Sequence, residues 1–176
     1  LNIYGSSKRA GEQAIAATGC RHLIFRTSWV YAARGANFAH TMLRLAAERE
    51  SLSVIDDQWG APTGADLIAD VSAHAIAQVL TQPDKTGLYH LAAAGCTSWF
   101  GYAQYLLRQA QNRPAAEALA LRQLQAIPSR DYPTPAQRPH NSRLETRKLR
   151  TTFGLYLPPW QEGIERLLAE RGHHAS

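Results

Sequence analysis

Tyr4 and Lys8 stand four residues apart in the opening stretch LNIYGSSKRAGE. On a helix that spacing sends both side chains off one face, a turn apart. A phenol is a poor acid near neutral pH, since its ordinary pKa is about 10. A neighbouring ammonium favours the phenolate, and a phenol tuned in this way can pass a proton to a carbonyl oxygen as the carbonyl is reduced. The bare pair is a weak signal, because a solvated helix face can carry the same two residues.

The elements that must position this pair are legible nearby. Ser6 to Ala17 is rich in alanine and good helix formers, with Gly19 as a C-terminal stop. The run His22 to Thr27 then reads as a short buried strand, the alternation of a parallel α/β sheet. Ligands of such sheets gather at the carboxyl ends of strands, which draws Thr27, Ser28 and Trp29 toward a site. Asn37 opens a helix as its cap, with Phe38, Met42, Leu43 and Ala46 on the apolar side. A helix N-terminus also attracts anions, so Asn37 reads equally as a ligand residue or a plain cap.

Leu52 to Ile55 is a further strand, followed by Asp56, Asp57 and the bend-forming Gly60, Pro62 and Gly64. Adjacent carboxylates at a strand end serve more often as turn and cap residues than as acids or metal ligands. Thr63 has a hydroxyl for a ligand or for capping the next helix, expected over Ala65 to Leu80. Strand Gly87 to Leu91 and a Ser98-capped helix from Trp99 to Arg113 come next, then a strand within Leu119 to Ile127. The aromatic residues Trp99, Phe100, Tyr102 and Tyr105 read as core, since no Lys or Arg accompanies them as a nucleic-acid platform would need. A proline-rich connector, Pro128 to Pro139, leads to helices expected over Arg143 to Thr152 and Trp160 to Glu170. Arg143, Arg147, Lys148 and Arg150 read as a solvated helix face.

Composition narrows the class. At 176 residues and 45% hydrophobic content the chain can build a real core, and its net charge of +5 suits anionic small molecules. Scattered arginines give no nucleic-acid pattern, and no apolar run reaches membrane length. Cys20 and Cys96 form neither a disulfide framework nor a metal spacing, and this low cysteine usage favours the cytoplasm. None of the seven histidines has metal spacing.

Four strings taken together, YGSSKRAGE, RTSWVYA with NFAHTMLRLA, DQWGAPTGADLIAD and YPTPAQRPHNSRL, are more specific than any one motif. They resemble the extended short-chain dehydrogenase/reductases and, within them, the dTDP-4-dehydrorhamnose reductase family. The resemblance implies an α/β fold: a partial Rossmann-like parallel sheet with an interleaved small α/β substrate domain. Residues 1–28 and 61–93 would belong to the NAD(P)-binding domain, and 29–60 and 94–176 to the nucleotide-sugar domain.

It further implies Tyr4 as proton donor and Lys8 as its catalytic partner on the nicotinamide ribose, with Arg26, Thr27 and Ser28 also beside the cofactor. Trp29, Asn37, Gln58, Pro62, Thr63 and Arg138 would contact substrate, with no metal in the active site. The implied reaction is NADPH-dependent reduction of dTDP-6-deoxy-L-lyxo-4-hexulose to dTDP-L-rhamnose, with NADH as the alternative cofactor. A homodimer with Mg2+ at its interface is a further family option, and neither nucleic acid nor membrane is an expected partner.

The family's Gly-rich cofactor loop and third catalytic Ser or Thr would lie upstream of Tyr4, and this chain contains no such loop. The expectation is therefore a C-terminal part of a longer enzyme, inactive alone. A related nucleotide-sugar epimerase or dehydratase, and a non-catalytic reductase-like regulatory subunit, are the rival readings.

Overall fold

The computed structural model describes residues 3–113, 119–132 and 139–172. In order it contains α1 (Ile3–Ala17), β1 (Leu23–Arg26), β2 (Val30–Tyr31), α2 (Phe38–Glu48), β3 (Ser51–Ile55), β4 (Trp59–Gly60), β5 (Thr63–Gly64) and α3 (Ala65–Thr81). There follow β6 (Gly87–His90), β7 (Thr97–Ser98), α4 (Trp99–Gln111), β8 (Gln123–Ile127), α5 (Arg147–Phe153) and α6 (Trp160–Gly172). The strands join as parallel pairs β1–β6, β2–β5 and β3–β8 and one antiparallel pair, β4–β7.

Two cores organise these elements. In the first, β1 and β6 lie in parallel register from Leu23↔Gly87 to Arg26↔His90. Val71, Ala75 and Val79 of α3, at helical spacing, close over Tyr89 and Leu91 with Leu149, Phe153 and Leu157. In the second, Met42, Leu43 and Ala46 of α2 pack with Leu52 and Val54 of β3, with Tyr102, Ala103, Leu106 and Leu107 of α4, and with Trp160 and Ile164 of α6. The first core draws on α3, β6 and the segment after it, together with Leu149, Phe153 and Leu157 from and just after α5.

Local signals held at the caps. The Asn37 side chain accepts the His40 N–H at 3.1 Å, and the Ser98 hydroxyl accepts the Gly101 N–H at 3.0 Å. Gly154 closes α5 in the left-handed region at φ 66°.

Three expectations need correction. α5 begins at Arg147, not Arg143, because the preceding segment is drawn into long-range pairing: Trp59 N–H donates to the His140 carbonyl at 2.8 Å, and Ser142 N–H to the Trp59 carbonyl at 2.7 Å. Asn141 adds a local turn by accepting the Arg143 N–H. Thr63 is not a cap; Gly64 occupies that position with no side-chain cap bond. Lys148 is more than a solvated charge, for it donates to the Leu88 carbonyl at 2.8 Å with its ammonium 4.5 Å from the Tyr89 ring centre, blunting the side of β6.

The paired carboxylates are structural ties, as their position at a strand end implied. Asp56 accepts the Ser98 hydroxyl, joining β3 to the start of α4. Asp57 accepts both the N–H and the hydroxyl of Ser129, at 3.0 and 2.9 Å, joining the end of β3 to the turn after β8. Burial pushes the Asp57 carboxyl up, but the Ser129 donors and nearby His140 outweigh it and hold the group below the usual carboxylate range. A carboxyl depressed in the folded state adds stability above its unfolded pKa and loses it as pH falls. Thermal unfolding over an acid pH series should therefore show Asp57→Asn less stable than the parent at neutral pH, with the gap closing on acidification. A gap independent of pH would contradict this.

Candidate functional site

α1 carries Tyr4 and Lys8 outward together, and Tyr4 is 70% exposed. The Lys8 ammonium sits 5.3 Å from the Tyr4 ring centre, over the ring. Two turns further along, Glu12 accepts from the Arg26 guanidinium through both oxygens, at 2.7 and 2.5 Å. That fork-to-fork pair fastens α1 to the last residue of β1. The bond from Arg26 holds the Glu12 carboxyl below its ordinary range. Arg26, expected at a cofactor, thus spends its guanidinium on the tether that fixes the Tyr4 helix to the strand end.

The chain leaving β1 enters a cleft of about 270 Å³ lined by Ser28, Trp29, Gln58, Trp99, Pro139 and Ser142. Thr27, just before it, is exposed. The Ser28 hydroxyl is buried with no hydrogen-bond partner among the described residues, a polar group still owed a bond. Gln58 is only 7% exposed yet presents an amide to the cleft. Trp29 is the one described non-glycine residue with positive φ, at 50°. Its carbonyl accepts the Thr63 N–H at 3.0 Å, which helps to hold that uncommon backbone state.

Of the residues expected at substrate, Trp29 and Gln58 come together here. Pro62 and Thr63 lie fully buried. The Thr63 hydroxyl donates to the Ala61 carbonyl at 3.0 Å and accepts the Ala93 N–H at 3.2 Å, bracing the segment that carries Gln58 against the end of β6. Asn37 has both side-chain atoms occupied, by His40 N–H and by the Ala32 carbonyl, and does not line the cleft. Arg138 lies outside the described residues. Trp99 and Ser142 were not foreseen as cleft residues; position after a Ser cap marked Trp99 as the start of a helix, not as a wall.

Comparison with known proteins decides the family. Residues 1–172 match the family described as the RmlD substrate binding domain. The chain belongs to that family. It is 58% identical over 170 residues to the dTDP-4-dehydrorhamnose reductase of Escherichia coli K12, covering 97% of this chain and 56% of that protein. It is 32% identical over 169 residues to the spore coat polysaccharide biosynthesis protein SpsK of Bacillus subtilis, covering 96% of this chain and 54% of that protein. A crystal structure of dTDP-4-dehydrorhamnose reductase from Bacillus anthracis in complex with NADP superposes with a TM-score of 0.80 at 35% identity, covering 97% of this chain and 56% of that one. The chain thus spans about half the length of the curated relatives it matches.

As an RmlD substrate binding domain, the chain supplies a walled cleft and, on the helix tethered beside its entrance strand, an exposed phenol–ammonium pair. Such a set can orient a polar ligand against aromatic walls and deliver a proton. Among the described residues no helix is long and apolar enough to cross a membrane, and no group of three or more His, Cys, Asp or Glu side chains is placed to hold a metal ion.

Proposed function

We propose that this chain forms the proton-donating and sugar-binding part of a dTDP-4-dehydrorhamnose reductase, acting on dTDP-6-deoxy-L-lyxo-4-hexulose to give dTDP-L-rhamnose. The observation that carries the reading is the exposed Tyr4–Lys8 pair on a helix tied by Glu12 and Arg26 to the strand that runs into the Trp29 cleft. The named relatives and the NADP-bound structure support it.

The residues present fit NADPH by the chemistry of their donors. The Tyr4 phenol and Lys8 ammonium stand exposed on one face, and neither side chain has a hydrogen-bond partner among the described residues. When bound, NADPH supplies the hydride. Lys8 would hold the nicotinamide ribose through its hydroxyls, with Thr27 and Ser28 adding hydroxyls at the strand end. Tyr4 gives its proton to the sugar oxygen as negative charge builds there, and the Lys8 ammonium stabilises the charge left on the phenol oxygen. Trp29 and Gln58 position the sugar from the cleft wall, while Thr63, Pro62 and Asn37 brace that wall from behind. Working in the cytoplasm as a homodimer is part of the same reading.

Product analysis tests it. The complete enzyme given NADPH and the dTDP-4-keto sugar should consume NADPH in step with the appearance of dTDP-L-rhamnose. A product that keeps its 4-keto group, or sugar turnover without NADPH consumption, would overturn the reading in favour of a dehydratase or epimerase.

A further inference from the structure

The Trp29 indole is enclosed on both faces. Its ring stacks on that of Trp99 with centres 3.9 Å apart and planes 14° from parallel. A Cβ built on Gly60 would fall 2.5 Å from Trp29 Cε2, 2.7 Å from Cδ2 and 2.9 Å from Nε1. Cε2 and Cδ2 are the fusion atoms of the indole, which an in-plane approach cannot reach first. Gly60 therefore faces the flat of the indole at the bond its two rings share. It must cover the face opposite Trp99, since an atom set between two rings so closely stacked would meet Trp99 atoms as near as those of Trp29. The indole is a sheet held between a backbone with no side chain and a second indole.

Trp99 is itself fixed, with Phe38 4.6 Å from it on one side and Tyr102 6.3 Å away at the core. The sandwich thus hangs from α2 and α4 and does not depend on the Trp29 loop alone. With both faces taken, Trp29 retains its edge for a ligand in the cleft it lines. Its Nε1–H has no hydrogen-bond partner among the described residues, and it is not among the buried side-chain polar atoms that lack one, which are the Ser28 and Tyr102 hydroxyls.

Resting on the reductase reading, we propose that Trp29 meets the sugar edge-on, donating its Nε1–H to a sugar oxygen, and that Trp99 and Gly60 are the positioning residues that aim it. An indole whose faces were free would stack on the apolar side of a sugar; this one is built to recognise an oxygen. The glycine is required by the same geometry, since any side chain at position 60 enters the space of the Trp29 ring.

Four variants of the complete enzyme test this with NADPH and the 4-keto sugar. Trp29→Phe keeps an aromatic ring in the sandwich and removes the N–H along with the second ring that bears it; the sugar KM should rise about tenfold, well beyond any fall in kcat. Trp99→Ala should abolish the exciton couplet that two stacked indoles give in circular dichroism and raise KM about tenfold, while Trp99→Phe should restore KM to within about threefold of the parent. Gly60→Ala should raise KM in the same way with the helical spectrum intact. A parent-like KM for Trp29→Phe would overturn the edge contact, whatever the other variants do. Normal KM in folded Trp99→Ala would overturn the positioning role. Absence of sugar-dependent NADPH consumption in the parent would remove the reductase reading itself, a different result from either.

Discussion

Replacing Tyr4 with Phe should cut turnover of the complete enzyme by at least about 100-fold while leaving NADPH binding near that of the parent. The substitution isolates one atom. Phe keeps the ring over which the Lys8 ammonium sits at 5.3 Å, so the helix face and its cation–π contact survive. No buried neighbour depends on the lost hydroxyl, since α1 has no buried residue among those described. What disappears is the proton donor, and a well-placed general acid is worth about 10²–10⁴ in rate. Single-turnover measurement with the 4-keto sugar separates this from slow product release. A Phe variant that turns over at the parental rate would remove Tyr4 from the chemistry.

Leu149→Ala should cost about 3 kcal/mol of stability, read as a lowered urea midpoint with an unchanged slope. Leu149 is 0% exposed and shares the first core with Val71 and Ala75 of α3, Tyr89 and Leu91 around β6, and Phe153 and Leu157. Truncation there loses the transfer free energy of the removed methyls and leaves a cavity between a helix and a strand pair that cannot close over it. The core that carries the Trp29–Trp99 sandwich is a separate one, so sugar KM should be preserved wherever the variant is folded. A loss below about 1 kcal/mol would mean that α5 packs more loosely than this arrangement requires.

Much of the frame was legible because it is locally encoded. Asn37 and Ser98 cap the helices that follow them, and the apolar spacing of Val71, Ala75 and Val79 names the buried face of α3. The Asp56–Asp57 pair behaves as turn chemistry suggested, tying β3 to Ser98 and Ser129. What escaped is set by partners distant in sequence. Arg143 to Thr146 looks helical by composition, but Asn141 and Ser142 are captured by Trp59, which delays α5. Trp99 has the pattern of a core aromatic, and only the arrival of Trp29 above it makes it a wall of the cleft. The resemblance implies ligand contacts for Arg26 and Thr63, but nothing near them in sequence announces the partners the fold gives them, Glu12 for one and a pair of backbone groups for the other. A side chain's partner depends on which loops meet, and that is not written within a few residues of it.

The central claim is that the phenol of Tyr4 quenches the charge that forms on the sugar oxygen. A crystal structure of the complete enzyme with NADP and a bound dTDP-sugar tests it most directly. The Tyr4 hydroxyl should lie within hydrogen-bonding distance of the sugar O4, with Lys8 on the nicotinamide ribose. A Tyr4 hydroxyl turned away from O4, with another side chain donating to that oxygen, would refute Tyr4 as the proton donor.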